Sequence, residues 1–256
     1  MIIIFYYLFI FFFGLALGSF LNAWVYRSKS KLSIVTGRSR CTDCHTQLTW
    51  YENIPVVSFI CLTGKCKSCK EKISIQYPIV EILTAFLFVF AFWFHNERFV
   101  IELARDWYII FILLFIFIYD YKYQLVLDKI TLPASFIILI LSIIFGWNSV
   151  YSMIIAVVIG SGFFLFQYII SKGRWVGGGD IRIGLLMGVV LGFPNIIIAL
   201  FLAYIIGSFV SVIMLLAKKA TMKTAVPFGI YLTVATFICM FYGNNIFLWY
   251  LNILGF

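Results

Sequence analysis

Residues 175–182 read Trp-Val-Gly-Gly-Gly-Asp-Ile-Arg, with long apolar runs on both sides. The three glycines leave the backbone free to adopt conformations that other residues resist, and Asp180 follows them directly. A carboxylate at the edge of a bilayer is costly and therefore marks a candidate functional site. A second acid, Asp120, ends an earlier apolar run. We therefore predict that the fold brings Asp120 and Asp180 together at a membrane face.

The composition is that of an integral membrane protein. Of the 256 residues, 64% are hydrophobic and 11% are charged, whereas soluble domains carry about 25% charged residues. We predict an all-α polytopic membrane protein with about eight transmembrane helices, judged against the ~20 residues needed to cross a bilayer. The apolar runs lie at 1–26, 78–94, 100–119, 131–147, 151–170, 183–193, 195–217 and 228–248. The run at 183–193 is the shortest and the weakest candidate.

These runs predict three regions. Residues 1–26 carry no charge, whereas a cleaved signal peptide begins with a basic region, so we expect a first transmembrane helix that stays attached. Residues 27–77 form a polar, cysteine-rich loop, which we expect to be a small zinc-binding cytoplasmic domain between helices 1 and 2. Residues 78–256 hold the remaining transmembrane core.

The basic residues predict the orientation. If the loop at 27–77 is cytoplasmic and every later run crosses, all Lys and Arg residues except Arg98 and Arg105 lie on the cytoplasmic side. This distribution fits the positive-inside rule. It places Asp120 and Asp180 at the cytoplasmic face and both termini outside. Because orientation explains the net charge of +9, no nucleic-acid partner is predicted.

Paired aspartates can hydrolyse an amide. Two neighbouring carboxylates share a proton because both cannot easily ionise. The ionised member activates water and the protonated member polarises the peptide carbonyl, without a covalent intermediate. Gly177, Gly178 and Gly179 would allow a tight turn and a close approach of the substrate backbone.

From the residues alone, a structural role remains open for these acids. Asp120 could cap a helix end, and Asp180 could be the N-cap of the sixth span. Asp128 is a third, accessory candidate, and a cap of the helix that opens near Thr131 is the simpler interpretation. Glu81, at the start of the second span, needs a partner: Arg27 and Lys72 are the candidates, unless it lines the path of the substrate.

The loop contains two Cys-x-x-Cys pairs, Cys41 with Cys44 and Cys66 with Cys69. Four thiolates in this arrangement complete a tetrahedral Zn²⁺ site, and a metal would hold together a loop too polar to build its own core. Cys61 is expected to be a small buried residue, although it could compete as a ligand.

Two other interpretations of the cysteines fit less well. Residues 41–45 match a c-type haem attachment motif, but haem is attached outside the cytoplasm and would leave the second Cys pair unexplained. Disulfides are disfavoured because the cytoplasm keeps thiols reduced.

At these residues the chain resembles the type IV prepilin peptidases, a family of bacterial intramembrane aspartyl proteases. The Gly-x-Gly-Asp signature appears at 177–180, and the stretch that carries the other aspartate runs from Asp120 to Asp128, with Leu127 in place of the usual proline. Further matches are Gly-Ser-Phe-Leu-Asn at 18–22 with Tyr-Arg at 26–27, Tyr-Pro-Ile-Val-Glu at 77–81 and Pro-Phe-Gly at 227–229. The resemblance extends over nearly the whole chain in the family's order.

The resemblance implies that Asp120 and Asp180 are catalytic and that the four-cysteine loop binds zinc. The implied substrates are prepilins or pseudopilins, each with a short basic leader that ends in glycine, followed by an apolar helix that lies in the bilayer. Their products would serve pili, secretion or competence. The implied second activity is N-methylation of the new terminus by S-adenosylmethionine, to which no residues are assigned. The implied location is the bacterial cytoplasmic (inner) membrane.

The rival prediction from another class is a proton- or cation-coupled transporter that uses Asp120 and Asp180. Intramembrane acids are common in transporters, but they usually lie near the midplane of inverted repeats. Both acids here lie near one face, and no repeat is visible in the sequence. A membrane scaffold with a zinc module is a third possibility, in which neither aspartate would be needed.

Overall fold

The protein is helical throughout the part that the structure describes. The computed structural model describes residues 2–34, 36–95, 100–218, 221 and 226–255. Within these residues there is no β-strand, and two isolated bridges close turns in the cysteine-rich loop. The helices are α1 (Ile2–Lys29), α2 (Val57–Cys61), α3 (Gln76–Phe94), α4 (Val100–Tyr123), α5 (Asp128–Phe145), α6 (Val150–Ser171), α7 (Gly178–Leu191), α8 (Asn195–Leu216) and α9 (Gly229–Leu254), with a short 3-10 turn, η1 (Trp50–Asn53).

The long helices coincide with the apolar runs and confirm the predicted all-α membrane fold. Among the described residues, six helices are long and apolar enough to cross a membrane: α1, α3, α5, α6, α8 and α9. Helix α7 has 14 residues and is therefore about 21 Å long, shorter than the ~30 Å hydrocarbon core. It begins at Gly178, five residues before the apolar run that predicted it, because the glycine-rich stretch forms its first turn.

The chain divides into two compact units, residues 1–111 and residues 112–256. In the first unit, α1 packs along α3. A Cβ atom on Gly14 would lie 2.6 Å from the Ala85 Cα atom, and one on Gly18 would lie 2.7 Å from the Glu81 Cα atom. Two glycines four residues apart thus let the backbones approach closely, as small residues do in membrane helix pairs.

The second unit surrounds α7. Helix α6 packs against it through Gly160 and Gly184, where a Cβ on either glycine would come within 2.7 Å of the backbone oxygen of the other. Gly188 makes a similar approach to Val157. Helices α5 and α9 also contact α7, so the short helix that carries Asp180 is largely buried.

The predicted orientation in the membrane remains a prediction. Three of the basic residues on which it depends, Arg98, Lys219 and Lys223, lie outside the described residues.

Candidate functional site

Asp120 lies near the end of α4 and is buried, with 5% of its surface exposed. Its carboxylate faces the first turn of α9, where the backbone N–H groups of Gly229 and Ile230 hydrogen-bond to it. A carboxylate is favoured at a helix N-terminus because the helix dipole is positive there. The Oδ2 atom is buried and accepts no hydrogen bond from the described residues.

Asp180 occupies the first turn of α7 and is 8% exposed. Its Oδ2 atom accepts a hydrogen bond of 3.1 Å from the Gly177 backbone N–H. Gly177, not Asp180, precedes the first helical residue, so the simple N-cap assignment for Asp180 is wrong. The carboxylate instead reaches back to the cap residue from the third helical position.

The structure brings the two acids together within the second unit. Asp180 and Asp120 interact electrostatically, and each carboxylate is placed at the N-terminus of a helix, α7 for one and α9 for the other. Helix dipoles stabilise negative charge, whereas burial and the neighbouring acid oppose it. Two opposing influences on the same charges therefore act at this pair.

Of the three glycines before Asp180, Gly179 is needed for close packing, and none of the three requires an unusual backbone angle. Gly177 has an extended conformation, with φ −76° and ψ 151°, and none of the three has a positive φ. A Cβ on Gly179 would lie 2.7 Å from a methyl carbon of Val126, whereas one on Gly178 would have its nearest neighbour at 3.8 Å. The expected tight turn is therefore replaced by a helix start on which the α4–α5 connection packs.

Asp128 differs from the two buried acids, because its side chain is 46% exposed and forms an ion pair with Arg182. It is the first residue of α5, and its Oδ1 atom forms an ion pair of 2.7 Å with the Arg182 Nε atom. Arg182 also donates a hydrogen bond of 3.2 Å to the Gly178 carbonyl oxygen. Arg182 thus links the starts of α5 and α7, a positioning contact that the sequence did not indicate.

Glu81 lies in the first unit, and its hydrogen-bond partners are not Arg27 or Lys72, the two cations that the sequence suggested. Its Oε2 atom accepts a hydrogen bond of 2.7 Å from the Val56 backbone N–H, and Ser19 also hydrogen-bonds to it. Arg27 instead donates to loop carbonyls, including the Gly37 oxygen at 2.8 Å. The carboxylate therefore connects the cysteine-rich loop with α1 and α3.

The four cysteines predicted as metal ligands come together. The Sγ atoms of Cys41, Cys44, Cys66 and Cys69 all lie within 4.8 Å of one another, and the first and last are 3.9 Å apart. Thiolates at ~2.3 Å from a tetrahedral zinc ion lie about 3.8 Å from each other. The donor set and its spacing therefore fit Zn²⁺.

The two Cys-x-x-Cys pairs have the same local structure. In each, the N–H of the first cysteine bonds a carbonyl oxygen five residues on, from Cys41 to Thr46 and from Cys66 to Glu71. A bridge closes each turn, Arg40 with Gln47 and Lys65 with Lys72. The residue after each second cysteine has a left-handed conformation. Two equivalent turns thus present their thiols to one point.

Hydrogen bonds shift the pKa values of two of these thiols, Cys44 and Cys69, in opposite directions. Hydrogen bonding with Thr46 lowers the pKa of Cys44 to about 6, which favours the thiolate that binds metal. The Glu71 backbone N–H lowers the pKa of Cys69, but burial and hydrogen bonds with the other thiols outweigh it and raise that pKa to about 12. A divalent cation would relieve this competition among the thiols.

Cys61 is neither buried nor part of the group. It is exposed at the end of α2, and the expectation of a small buried residue is wrong because a helix of five residues leaves that position uncovered.

A polar pair near Asp180 was also missed. The Gln167 side chain and the Tyr204 hydroxyl group hydrogen-bond to each other at 2.9 Å, and Tyr204 interacts electrostatically with Asp180. The pair could have been predicted from the sequence, because Gln167 and Tyr204 are polar residues within apolar runs.

Known proteins resemble this chain over most of its length. The profile of the bacterial peptidase A24 N-terminal domain matches residues 12–95, and that of the type IV leader peptidase family matches residues 107–212. A prepilin leader peptidase/N-methyltransferase of Bacillus subtilis is 31% identical over 95% of this chain and 97% of the relative. Proteins with the same name from Legionella pneumophila and Pseudomonas putida are 30% and 29% identical, covering 97% and 95% of this chain and 95% and 93% of the relatives. No solved structure matches significantly.

Proposed function

Because the chain belongs to the type IV leader peptidase family, we propose that it removes the leader from type IV prepilins or pseudopilins. Asp120 and Asp180 are the catalytic pair in this proposal. The observation that carries it is the pairing of two buried carboxylates, each directed at a helix N-terminus.

The pair would act by general acid–base catalysis. One carboxylate accepts a proton from water, which attacks the carbonyl carbon of the scissile peptide bond. The other donates its proton to the carbonyl oxygen, and proton transfer to the leaving nitrogen completes the cleavage.

The location of the pair suits such a substrate. The short helix α7 holds Asp180 in its first turn, near one end of the membrane-spanning bundle. In the predicted orientation this end is cytoplasmic, and both termini of the chain lie outside. The apolar helix of the substrate would lie in the bilayer, with its basic leader in the cytoplasm.

The cysteine group would hold a structural Zn²⁺ ion through Cys41, Cys44, Cys66 and Cys69. When bound, the ion would join the two halves of the loop at 27–77, which separates the first helix from the peptidase core at 78–256. Structural zinc supplies folding energy outright in domains without a core of their own.

The names of the relatives also support N-methyltransferase activity. S-adenosylmethionine is the methyl donor that this activity implies. We assign no residues to it, because the described residues include no group whose contacts distinguish a site for it.

The function is tested by incubating membranes that contain the protein with a purified prepilin and analysing the product by mass spectrometry. The expected product lacks the leader and gains the mass of one methyl group when S-adenosylmethionine is supplied. An intact prepilin, alongside proton- or cation-dependent transport by the same protein in vesicles, would support the transporter instead.

A further inference from the structure

The segment formed by η1 and α2, residues 50–61, differs from the rest of the cysteine-rich loop. The loop as a whole is basic, but this segment contains a single charged residue, Glu52. The Glu52 carboxylate accepts hydrogen bonds from the Thr49 backbone N–H at 2.7 Å and from the Thr49 hydroxyl group at 2.6 Å. The segment nevertheless exposes large apolar side chains: Trp50 is 75% exposed, Ile60 67% and Val57 53%.

The depth of the segment follows from its contact with α3. Val56 is tied to the Glu81 carboxylate, and Gly18 of α1 packs against the Glu81 backbone. Gly18 lies nine residues before Arg27, the first charged residue of α1, which is about 13 Å along the helix axis. Because side chains on a helix lean toward its N-terminus, the Glu81 carboxylate is somewhat nearer the loop end. The segment still descends below the level of Arg27.

At this level the two neighbouring helices also expose apolar side chains. Ile79 of α3 is 54% exposed and Phe20 of α1 is 43% exposed, and both lie on the helices that flank the Val56 contact. Helix α2 begins directly after Val56, so its exposed apolar side chains lie beside two helices that also expose apolar side chains. A soluble domain seldom exposes large apolar side chains in such a group.

The backbone of the segment is also arranged for an apolar environment. Where water is scarce, each backbone polar group needs a partner within the protein. The Ser58 and Ile60 N–H groups bond the Ile54 and Val56 carbonyl oxygens, and the Val56 N–H bonds Glu81. Val56 takes φ 60°, an unusual conformation for a β-branched residue, and thereby directs its N–H at the carboxylate.

We infer that residues 50–61 dip into the bilayer beside α1 and α3, at the boundary between headgroups and acyl chains, and that Glu81 anchors them there. Val57 and Ile60 contact acyl chains, and Trp50 lies at the headgroup level, where tryptophan is enriched in membrane proteins. Tyr51 points its hydroxyl group toward the loop, where Lys67 donates a hydrogen bond of 2.9 Å to it. This inference is independent of the proposed protease activity.

The test places an environment-sensitive fluorescent amino acid at Ile60, and in separate proteins at Val57 and, as a control, at Gln47 in the first cysteine turn. The proteins are reconstituted in vesicles of phosphatidylethanolamine and phosphatidylglycerol. At positions 60 and 57 we expect strong quenching by lipids brominated high on the acyl chain and weak quenching by aqueous iodide. Position 47 should show the reverse. Strong iodide quenching at both 60 and 57, without an effect of brominated lipid, would overturn the inference.

Glu81 variants test the anchor. Glu81→Gln keeps a carbonyl oxygen that can accept the Val56 N–H bond, whereas Glu81→Ala removes it. The reporter at position 60 should remain in lipid in the first variant and become accessible to iodide in the second. A reporter that stays in lipid in both variants would contradict the role given to Glu81.

Discussion

Gly229 lies so close to Asp120 that a Cβ atom on the glycine would come 2.6 Å from the Asp120 Oδ2 atom and 2.9 Å from the Ile183 side chain. The first residue of α9 therefore packs directly against the carboxylate and fixes its position. Gly229 is the last residue of the Pro-Phe-Gly sequence at 227–229, one of the stretches in which the chain resembles the family. The contact gives that glycine a physical role.

Gly229→Ala should therefore disable cleavage by displacing the Asp120 carboxylate. A displacement of about 1 Å in a catalytic group can cost ~100-fold in rate, and we expect a loss of this order in kcat. Gly162→Ala in α6 is the matched control, because a Cβ there meets nothing within 4 Å. The measurement is the rate of leader release by each variant at equal protein level. Equal rates would show that the close packing of Gly229 on Asp120 is not needed for cleavage.

The glycines before Asp180 should differ in their tolerance of alanine. In Gly179→Ala the new Cβ meets Val126 at 2.7 Å, and overpacking of this kind costs about 1–3 kcal/mol in the free energy of unfolding. Gly178→Ala has room for the new Cβ, because its nearest neighbour would lie at 3.8 Å. Thermal unfolding in detergent and leader release should both fall in the first variant and be retained in the second. The reverse order would contradict the packing described for this helix start.

The ion pair between Asp128 and Arg182 should contribute little to catalysis. The two side chains are 46% and 39% exposed, and exposed ion pairs contribute about 0–1 kcal/mol. Asp128→Asn should lower kcat/KM for a prepilin by no more than about fivefold, since a tenfold change corresponds to ~1.4 kcal/mol. A loss as large as that of a catalytic residue would place Asp128 in the reaction itself.

The cysteine group should bind one zinc ion per chain. Cys41→Ser and Cys66→Ser each remove one ligand of a four-thiolate site and should lose the metal when the protein is dialysed against a chelator. Cys61→Ser is the control, because Cys61 lies outside the group. Elemental analysis of the purified variants measures the zinc content, and loss of zinc in the control would show that Cys61 competes as a ligand.

Much of this arrangement could be predicted from local sequence patterns. The spacing of the two Cys-x-x-Cys pairs indicated a four-thiol group because each pair sits in a short turn with its own hydrogen bonds. The apolar runs indicated the long helices because each run covers most of one helix. Asp120 and Asp180 were predicted as a pair because a charge next to an apolar run is costly in free energy and therefore marks a candidate functional site.

The contacts between distant segments could not be predicted in this way. Glu81 bonds Val56, a loop residue 25 positions earlier, and no periodic pattern connects the two. The packing of Gly179 on Val126 depends on the approach of α5 to α7, which is a tertiary contact. The true start of α7 was missed because glycine disfavours a helix interior, although it is tolerated in the first turn.

The central claim is that Asp120 and Asp180 form the catalytic pair, and its most direct test compares Asp120→Asn, Asp180→Asn and Asp128→Asn in leader release from a prepilin. Asparagine keeps the size and polarity of aspartate but cannot exchange the proton. General acid–base groups contribute about 10²–10⁴-fold, so we predict a loss of at least this size in the first two variants and near wild-type cleavage in the third. Normal cleavage by either the Asp120 or the Asp180 variant would contradict the pair.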